Sequence, residues 1–356
     1  MRLSLLIAFL GWSLTAYSQL HQETTSKHAV WKALPSAFYT PETTIGVGVL
    51  LLVERESKHS DLSNSNAQFY LDVTFRKQIQ LQNDHNIYGK FLKQNIYLMG
   101  SNDLSRFPEF YFGIGNETQV NDACLIDFNL VNFKNFAYVE VQPKSYIGLV
   151  VHHQALTDLN KFIKTPSFTF TNKGYASSGL GFSFLKDERD NIFNPCKGYF
   201  IQGGIVRYGD HRNQTGSFTN TWLDARLYKT FANDLVLNAN VCLFNNVGVV
   251  PFRMMPKLGG PRFLRGYYMG RFRDNNASII RAELRKMIFS RIGVAAFGDV
   301  GKVYQSVSTF NNSGWNCTYG VGLRIKHDLK SNANIRIDYG RSYDSHGLYI
   351  VFAEAF

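Results

Sequence analysis

A two-residue alternation of apolar and polar side chains runs through most of the chain, and it limits what the chain can fold into. In Phe69–Arg76 one face carries Phe69, Leu71, Val73 and Phe75, and the other Tyr70, Asp72, Thr74 and Arg76. Ile280, Ala282, Leu284 and Ile288 are set against Arg281, Glu283 and Arg285. Tyr319, Val321, Leu323 and Ile325 are set against Gly320, Gly322 and Arg324, and Ile335, Ile337 and Tyr339 against Arg336 and Asp338. A period of two belongs to β-strands, whose successive side chains point to opposite faces. A soluble sandwich also alternates, with its polar face in water. Two features point instead to a membrane. The runs are long, whereas sandwich strands have about five or six residues. Aromatic residues also gather at the run ends: Tyr199, Phe200 and Tyr208; Trp222, Tyr228 and Phe231; Tyr339 and Tyr349. Interfacial girdles of membrane barrels lie at such positions. The expected fold is all-β: a transmembrane antiparallel β-barrel with its apolar face toward lipid and its polar face lining the interior.

The N-terminus fits export. Arg2, the apolar run Leu3–Leu10 and the small-x-small site Ala16-Tyr17-Ser18 read as a signal peptide over residues 1–18. No later stretch approaches the roughly 18 apolar residues of a transmembrane helix. Residues 19–42 are expected to form a short periplasmic segment and residues 43–356 a single barrel domain. Sixteen strands are expected, an even number as in bacterial single-chain barrels. The first seven span 43–56, 67–76, 77–84, 86–99, 119–130, 132–142 and 145–156. With a periplasmic N-terminus, the long connections 57–66, 157–174, 210–216, 249–276 and 305–315 fall outside. Segments 100–118 and 187–197 are then structured periplasmic turns. The chain ends on Phe356 after Leu348, Ile350 and Phe352 at alternate positions, which suits closure of a barrel. Glu354 interrupts that apolar face and is expected near the interface, where a charge costs little.

The formal net charge of +11 calls for an anionic partner or a basic interior with basic loops. For an exported chain that partner is a lipid phosphate or an acidic chain rather than nucleic acid. Cys124, Cys196, Cys242 and Cys317 are widely spaced, with no CxxC and no Cys/His cluster. Isolated thiols or at most one bridge are expected, with no metal site and no cofactor. The segment Leu258–Asp274 holds four glycines and four arginines. It lacks the Gly-Lys-Ser/Thr ending and the following helix of a phosphate loop. Asp187, Glu188 and Asp190 around Arg189 read as a salt-bridged turn or a carboxylate site. His152 and His153 point to opposite faces of a strand and cannot act together. Arg281, Arg285, Arg324, Arg336 and Lys326 lie on polar faces. They either bias the interior toward anions or pair with Glu283, Asp299 and Asp338.

Four blocks carry a resemblance. They are Lys186–Asn191 with Pro195 and Gly198-Tyr199; Leu258-Gly259-Gly260 with Leu264-Arg265-Gly266-Tyr267; Ala282-Glu283-Leu284-Arg285; and Phe297-Gly298-Asp299-Val300-Gly301. In this order they resemble the barrel domain of the BamA/TamA superfamily, also called the bacterial surface antigen family. Phe107-Pro108-Glu109-Phe110 with Gly113-Ile114-Gly115 resembles a segment of its short members. The resemblance implies a sixteen-stranded barrel whose sixth outer loop folds back into the interior. The loop tip would be Arg265-Gly266-Tyr267, and the arginine would meet Glu283 and Asp299 beside Gly301. The alternation independently puts both carboxylates on polar faces, and two carboxylates match the donor fork of a guanidinium. The chain is expected to be a short member without periplasmic POTRA domains. The implied function is non-enzymatic: assisting insertion or translocation of polypeptides in a Gram-negative outer membrane. The implied surroundings are outer-membrane lipid, including lipopolysaccharide, and protein clients or partners, with no nucleic acid. The alternatives are a passive pore or scaffold subunit of an outer-membrane complex and, more distantly, an outer-membrane hydrolase.

Overall fold

In the computed structural model, the described residues are 29–40, 44–57, 63–75, 77–162, 174–210, 216–231, 234–311, 314–326, 334–352 and 354–355. The expected signal peptide and Phe356 lie outside them. In chain order the strands are β1 (Ala29–Thr40), β2 (Thr44–Arg55), β3 (Ser65–Thr74), β4 (Ile79–Phe91), β5 (Gln94–Arg106), β6 (Glu109–Tyr111), β7 (Cys124–Gln142), β8 (Ser145–Phe162), β9 (Tyr175–Asp187) and β10 (Gly198–Asp210). They continue with β11 (Phe218–Thr230), β12 (Val236–Gly248), β13 (Lys257–Leu258), β14 (Phe272–Arg273), β15 (Asn276–Met287), β16 (Ile292–Tyr304), β17 (Asn316–Lys326), β18 (Asn334–Arg341) and β19 (His346–Phe352). Apart from β6, β13 and β14, all sixteen have seven residues or more. The chain is all-β and antiparallel, of the transmembrane barrel class.

Contacts divide the chain into two compact units, Met1–Phe107 with Leu130–Gln154, and Pro108–Asn129 with Ala155–Phe356. The boundary runs through β7 and at the start of the second half of β8. In the first unit β1 to β5 pair in sequence as antiparallel neighbours. Leu92 and Lys93 both take positive φ, as a two-residue hairpin turn matched to strand twist requires. The buried face here is amide and phenol. Asn102 and Asn135 exchange hydrogen bonds, and Tyr88 stacks on Tyr97 with centroids 4.2 Å apart.

The second unit pairs β9 to β12 and β15 to β19 in an unbroken antiparallel series. Its burial is inverted relative to a soluble protein. In β9 the exposed positions are Leu180, Phe182 and Phe184, while Ser177 and Ser183 are buried. In β15 to β18 the exposed positions include Ile280, Leu284, Val294, Val321 and Tyr339. The buried ones include Arg281, Glu283, Arg285, Asp299, Arg324, Arg336 and Asp338. Such a sheet is stable only with oil against its apolar face, because charged groups are otherwise the ones left in water. The aromatic cue is half correct. Phe231 and Tyr339 are exposed, whereas Phe200, Tyr208 and Tyr228 are buried on the opposite face.

The expected number of long strands is met through two differences that cancel. Residues 29–40, expected to precede the barrel, form β1 and pair with β2 along its whole length. Pro35 hid this strand, because proline cannot donate to a ladder and demotes a run. The expected strands 119–130 and 132–142 are one strand, β7, of 19 residues. That is about twice the 9–11 residues a membrane strand needs, and Leu130-Val131 breaks its alternation. Each difference reverses the expected direction of the chain, so only the region between them was placed wrongly. Segment 100–118 is thus not a turn on the side opposite the 249–276 loop. Residues 100–106 belong to β5, and Gly115 donates its N–H to Arg273 O at 2.7 Å, within that loop.

Val321 is at the centre of β17 and exposed. Val321→Arg is expected to destabilise the protein by about 2–4 kcal/mol if it sits at mid-bilayer. Equilibrium unfolding in lipid bilayers measures this, and a cost near zero would place the residue outside the hydrocarbon.

Candidate functional site

The connection from β12 to β15 is folded back and packed rather than extended. Its stem is a ribbon in which Lys257 pairs with Arg273 and Leu258 with Phe272. Leu258, Leu264, Tyr267 and Phe272 form one buried cluster with Cys242, Ala277, Ile279 and Val303 of β12, β15 and β16. Ile279 thus makes the otherwise polar face of β15 apolar where the loop docks. Leu264 has φ +51° and Gly266 φ +124°, the left-handed region that glycine adopts without cost and leucine does not. These two residues bracket Arg265 and aim it at the sheet. Close approach is built into the wall. A Cβ on Gly301 would lie 2.5 Å from Leu264 Cδ1, and one on Gly340 would strike the Arg265 carbonyl.

Arg265 is completely buried. Its Nε and Nη2 donate to the two oxygens of Asp299, each at 3.1 Å. Its Nη1 donates to Glu283 Oε2 at 2.7 Å and to Asp338 Oδ2 at 3.1 Å, and its backbone N–H donates to Asp299 Oδ2 at 3.1 Å. The guanidinium also lies 3.4 Å from the ring centroid of Phe297. Burial alone disfavours its charge, but Asp299 and Glu283 outweigh this and hold its pKa above the ordinary arginine value.

The remaining lone pairs are taken by the wall. Arg324 donates to Asp338 at 2.6 Å, Glu283 at 3.1 Å and Glu354 at 2.8 Å. Arg336 donates to Asp338 at 2.6 Å, and Arg285 lies 3.5 Å from Glu354. Four carboxylates, Glu283, Asp299, Asp338 and Glu354, thus face four guanidinium groups, those of Arg265, Arg285, Arg324 and Arg336. Such a balance is what makes a buried ionic network tolerable. The wall arginines Arg285, Arg324 and Arg336 are therefore paired. Arg281 instead donates to Asn240 Oδ1 and to the carbonyl of Arg262. Glu354 is not at the lipid interface, as its place in the terminal alternation had suggested. Its side chain is turned inward and almost fully buried, because two arginines and Asn334 offer it more than headgroups could.

Tyr267 packs edge-on to Phe272 with centroids 5.0 Å apart. Gly266 N–H donates to the Tyr349 hydroxyl at 3.0 Å, and that hydroxyl donates to Tyr267 O at 3.1 Å. Ser345 Oγ donates to Gly266 O at 2.7 Å. Tyr349 therefore serves the loop, not an aromatic girdle. Among the contacts of the loop tip, those of Asp338, Gly340, Ser345 and Tyr349 were not read from the sequence. Asp338 sits on an alternating polar face and was legible as a wall charge. Nothing local marked Tyr349 or Gly340.

The other sequence candidates are not assembled into a site. Asp187 holds Arg189 through two bonds, at 2.8 and 2.7 Å. Asp190 accepts the N–H groups of Cys196 and Lys197, so these carboxylates build a turn. His152 is hydrogen-bonded to Asn132 at 3.0 Å. Among the described residues, Cys124, Cys196, Cys242 and Cys317 form no disulfide with one another.

The Omp85 superfamily domain matches residues 69–347. No curated protein matches the chain significantly. Among solved structures, BamA from Haemophilus ducreyi lacking POTRA domains 1–3 superposes with a TM-score of 0.56 at 12% identity, covering 96% of this chain and 78% of that one. CdiB from Acinetobacter baumannii superposes with a TM-score of 0.53 at 9% identity, covering 88% and 56%. These two are likenesses of fold.

Arg265→Ala leaves Asp299 without a counter-ion and Glu283 and Asp338 under-paired. The expected cost is about 3–5 kcal/mol. It should appear as protease-sensitive bonds within 249–275 and as lost heat-modifiable mobility, and an unchanged protein would refute the clasp. Gly340→Ala leaves every ionic partner in place but pushes against the Arg265 carbonyl. Overpacking of about 1–3 kcal/mol is expected to expose the same bonds to protease.

Proposed function

From the premise that the chain belongs to the Omp85 superfamily, we propose that it assists the insertion or translocation of polypeptides across an outer membrane, by non-covalent means. The observation that carries this reading is the clasp of Arg265 by Glu283, Asp299 and Asp338. A loop tied at its tip to three separate strands couples those strands, as a positioning role requires. In the proposed mechanism the clasp ties β15, β16 and β18 into one stiff plate, and Tyr349 extends the tie to β19 through the loop backbone. A plate of fixed twist offers a nascent membrane strand a constant geometry beside it. Its polar face is held by the loop, while its apolar face meets lipid. No bond is made or broken, and the required work is positioning.

The proposed location is the Gram-negative outer membrane, reached through a signal peptide at residues 1–18. The proposed partners are client polypeptides and a periplasmic or outer-membrane protein that delivers them, in a bilayer containing lipopolysaccharide. Deleting residues 258–270 in the native cell tests the function. The expected result is a fall in other outer-membrane proteins while the truncated chain itself still reaches the membrane. Unchanged levels, together with a large, steady, anion-selective conductance of the intact protein in planar bilayers, would replace this reading by that of a pore.

A further inference from the structure

A second ionic cluster sits at the stem of the same loop and shares no partner with Arg265. Glu109 of β6 accepts from Arg273 Nη2 at 2.6 Å and from Lys257 Nζ at 3.1 Å. Arg253 Nε lies 3.1 Å from the same carboxylate, but it lacks hydrogen-bond geometry to any acceptor. Arg273 is 1% exposed, gives Nη1 to Phe252 O at 3.2 Å, and has no acceptor at Nε. Its guanidinium lies between the rings of Tyr111 and Phe252, at 5.4 and 5.3 Å. Around Arg265 the charges match four to four. Here, among the described residues, three basic side chains share one carboxylate, a surplus of two positive charges in a largely buried place when Lys257 is protonated. An arginine cannot relieve such a surplus by losing its proton. Burial, with Arg253 and Arg273 beside it, lowers the Lys257 pKa to about 7. Burial opposes the charge on Glu109 too, but Arg253, Lys257 and Arg273 outweigh it and hold that carboxyl well below its ordinary range.

We propose that Arg253, Lys257 and Arg273 form a binding site for a phosphate group, with Glu109 as the acceptor for the proton that the phosphate retains. A bound anion favours the protonated form of Lys257, and the two surplus charges then match a phosphate dianion. The unpaired N–H groups of Arg253 and Arg273 are donors without acceptors, which an oxoanion supplies. Arg253 and Lys257 are each about one-fifth exposed, so the ligand enters from their side. The carboxylate sets the specificity. It repels an anion with no proton to give, such as sulfate, and accepts a hydrogen bond from P–OH. A soluble phosphate and a lipid phosphomonoester headgroup offer the same chemistry, whereas a phosphodiester headgroup has no P–OH to give.

The test uses the full-length protein, folded in neutral detergent and in phosphatidylcholine nanodiscs. Equilibrium dialysis with labelled inorganic phosphate is expected to show one saturable site per chain, with sulfate weaker by about tenfold or more at equal ionic strength. Arg253→Gln and Lys257→Gln should each weaken phosphate by about tenfold while keeping heat-modifiable mobility. Glu109→Gln should abolish the preference for phosphate over sulfate. Displacement of the label when phosphatidic acid is added to the nanodiscs assigns the site to a lipid headgroup. Retention assigns it to soluble phosphate. Absence of saturable binding to the wild-type protein overturns the proposal, as does equal affinity in folded Arg253→Gln and Lys257→Gln. Equal affinity for phosphate and sulfate overturns the role of Glu109. If the variants do not fold, the wild-type ratio of phosphate to sulfate alone decides.

Discussion

A guanidinium keeps its proton inside a protein, so a loop that carries Arg265 to the sheet must find carboxylates there or leave a bare charge in a dry place. Much of the second unit follows from meeting that demand. Asp299 takes the fork, Glu283 and Asp338 take the other edge, and Arg324, Arg336, Arg285 and Glu354 keep the enlarged group neutral. Phe297 closes one face of the guanidinium. Buried ion pairs add little net stability compared with well-packed apolar residues. What they add here is definition. A planar fork bound at both edges admits one position of the loop tip, and Leu264 against Gly301 and the tip against Gly340 admit no slack around it.

The sheet itself was legible because lipid enforces the simplest pattern a strand can show. Alternate residues in β15 to β17, such as Ile280 and Leu284, Ile292 and Val294, and Tyr319, Val321 and Leu323, are apolar in the sequence and exposed in the structure. Glu283 and Asp299 could be placed by the same pattern. The pattern lost its grip where strands leave the bilayer or bend. Pro35 concealed β1, and the length of β7 made it read as two strands. The run Asn83-Asp84-His85-Asn86 looked like a break, although it lies within β4 and Asn83 belongs to the amide network on the buried face. Contacts between distant segments were beyond a local pattern. Tyr349 lies beside the exposed Leu348 and Ile350, and only the loop, 83 residues earlier in the chain, explains what its hydroxyl does. The place of Glu354 is hidden from a local pattern for the same reason, since its partner Arg324 lies 30 residues back.

The loop is also tied at its stem. Thr118 O and Oγ1 accept from Arg271 at 2.5 and 2.7 Å, and Phe110 and Phe112 pack against Tyr268. The segment after β5 thus forms a collar on the loop, while the wall charges hold the tip. The first attachment is mainly aromatic and polar, the second almost wholly ionic. Salt screens exposed charges, but it reaches a buried network far less, so ionic strength is a weak lever on the tip.

The clasp also constrains the order in which the chain can fold. Arg265 lies 18 residues from Glu283, 34 from Asp299 and 73 from Asp338. The first partner arrives with the next strand and the second with the strand after it, but the third waits until β18 has joined the sheet. Partners so far along the chain are expensive to gather in loop entropy. Until β17 and β18 dock, Arg265 lacks its third carboxylate and Glu283 lacks Arg324, so the network around the tip is incomplete. Burial of the tip thereby reports that the C-terminal strands have assembled, and a chain that stalls before β18 has a loop still free to withdraw.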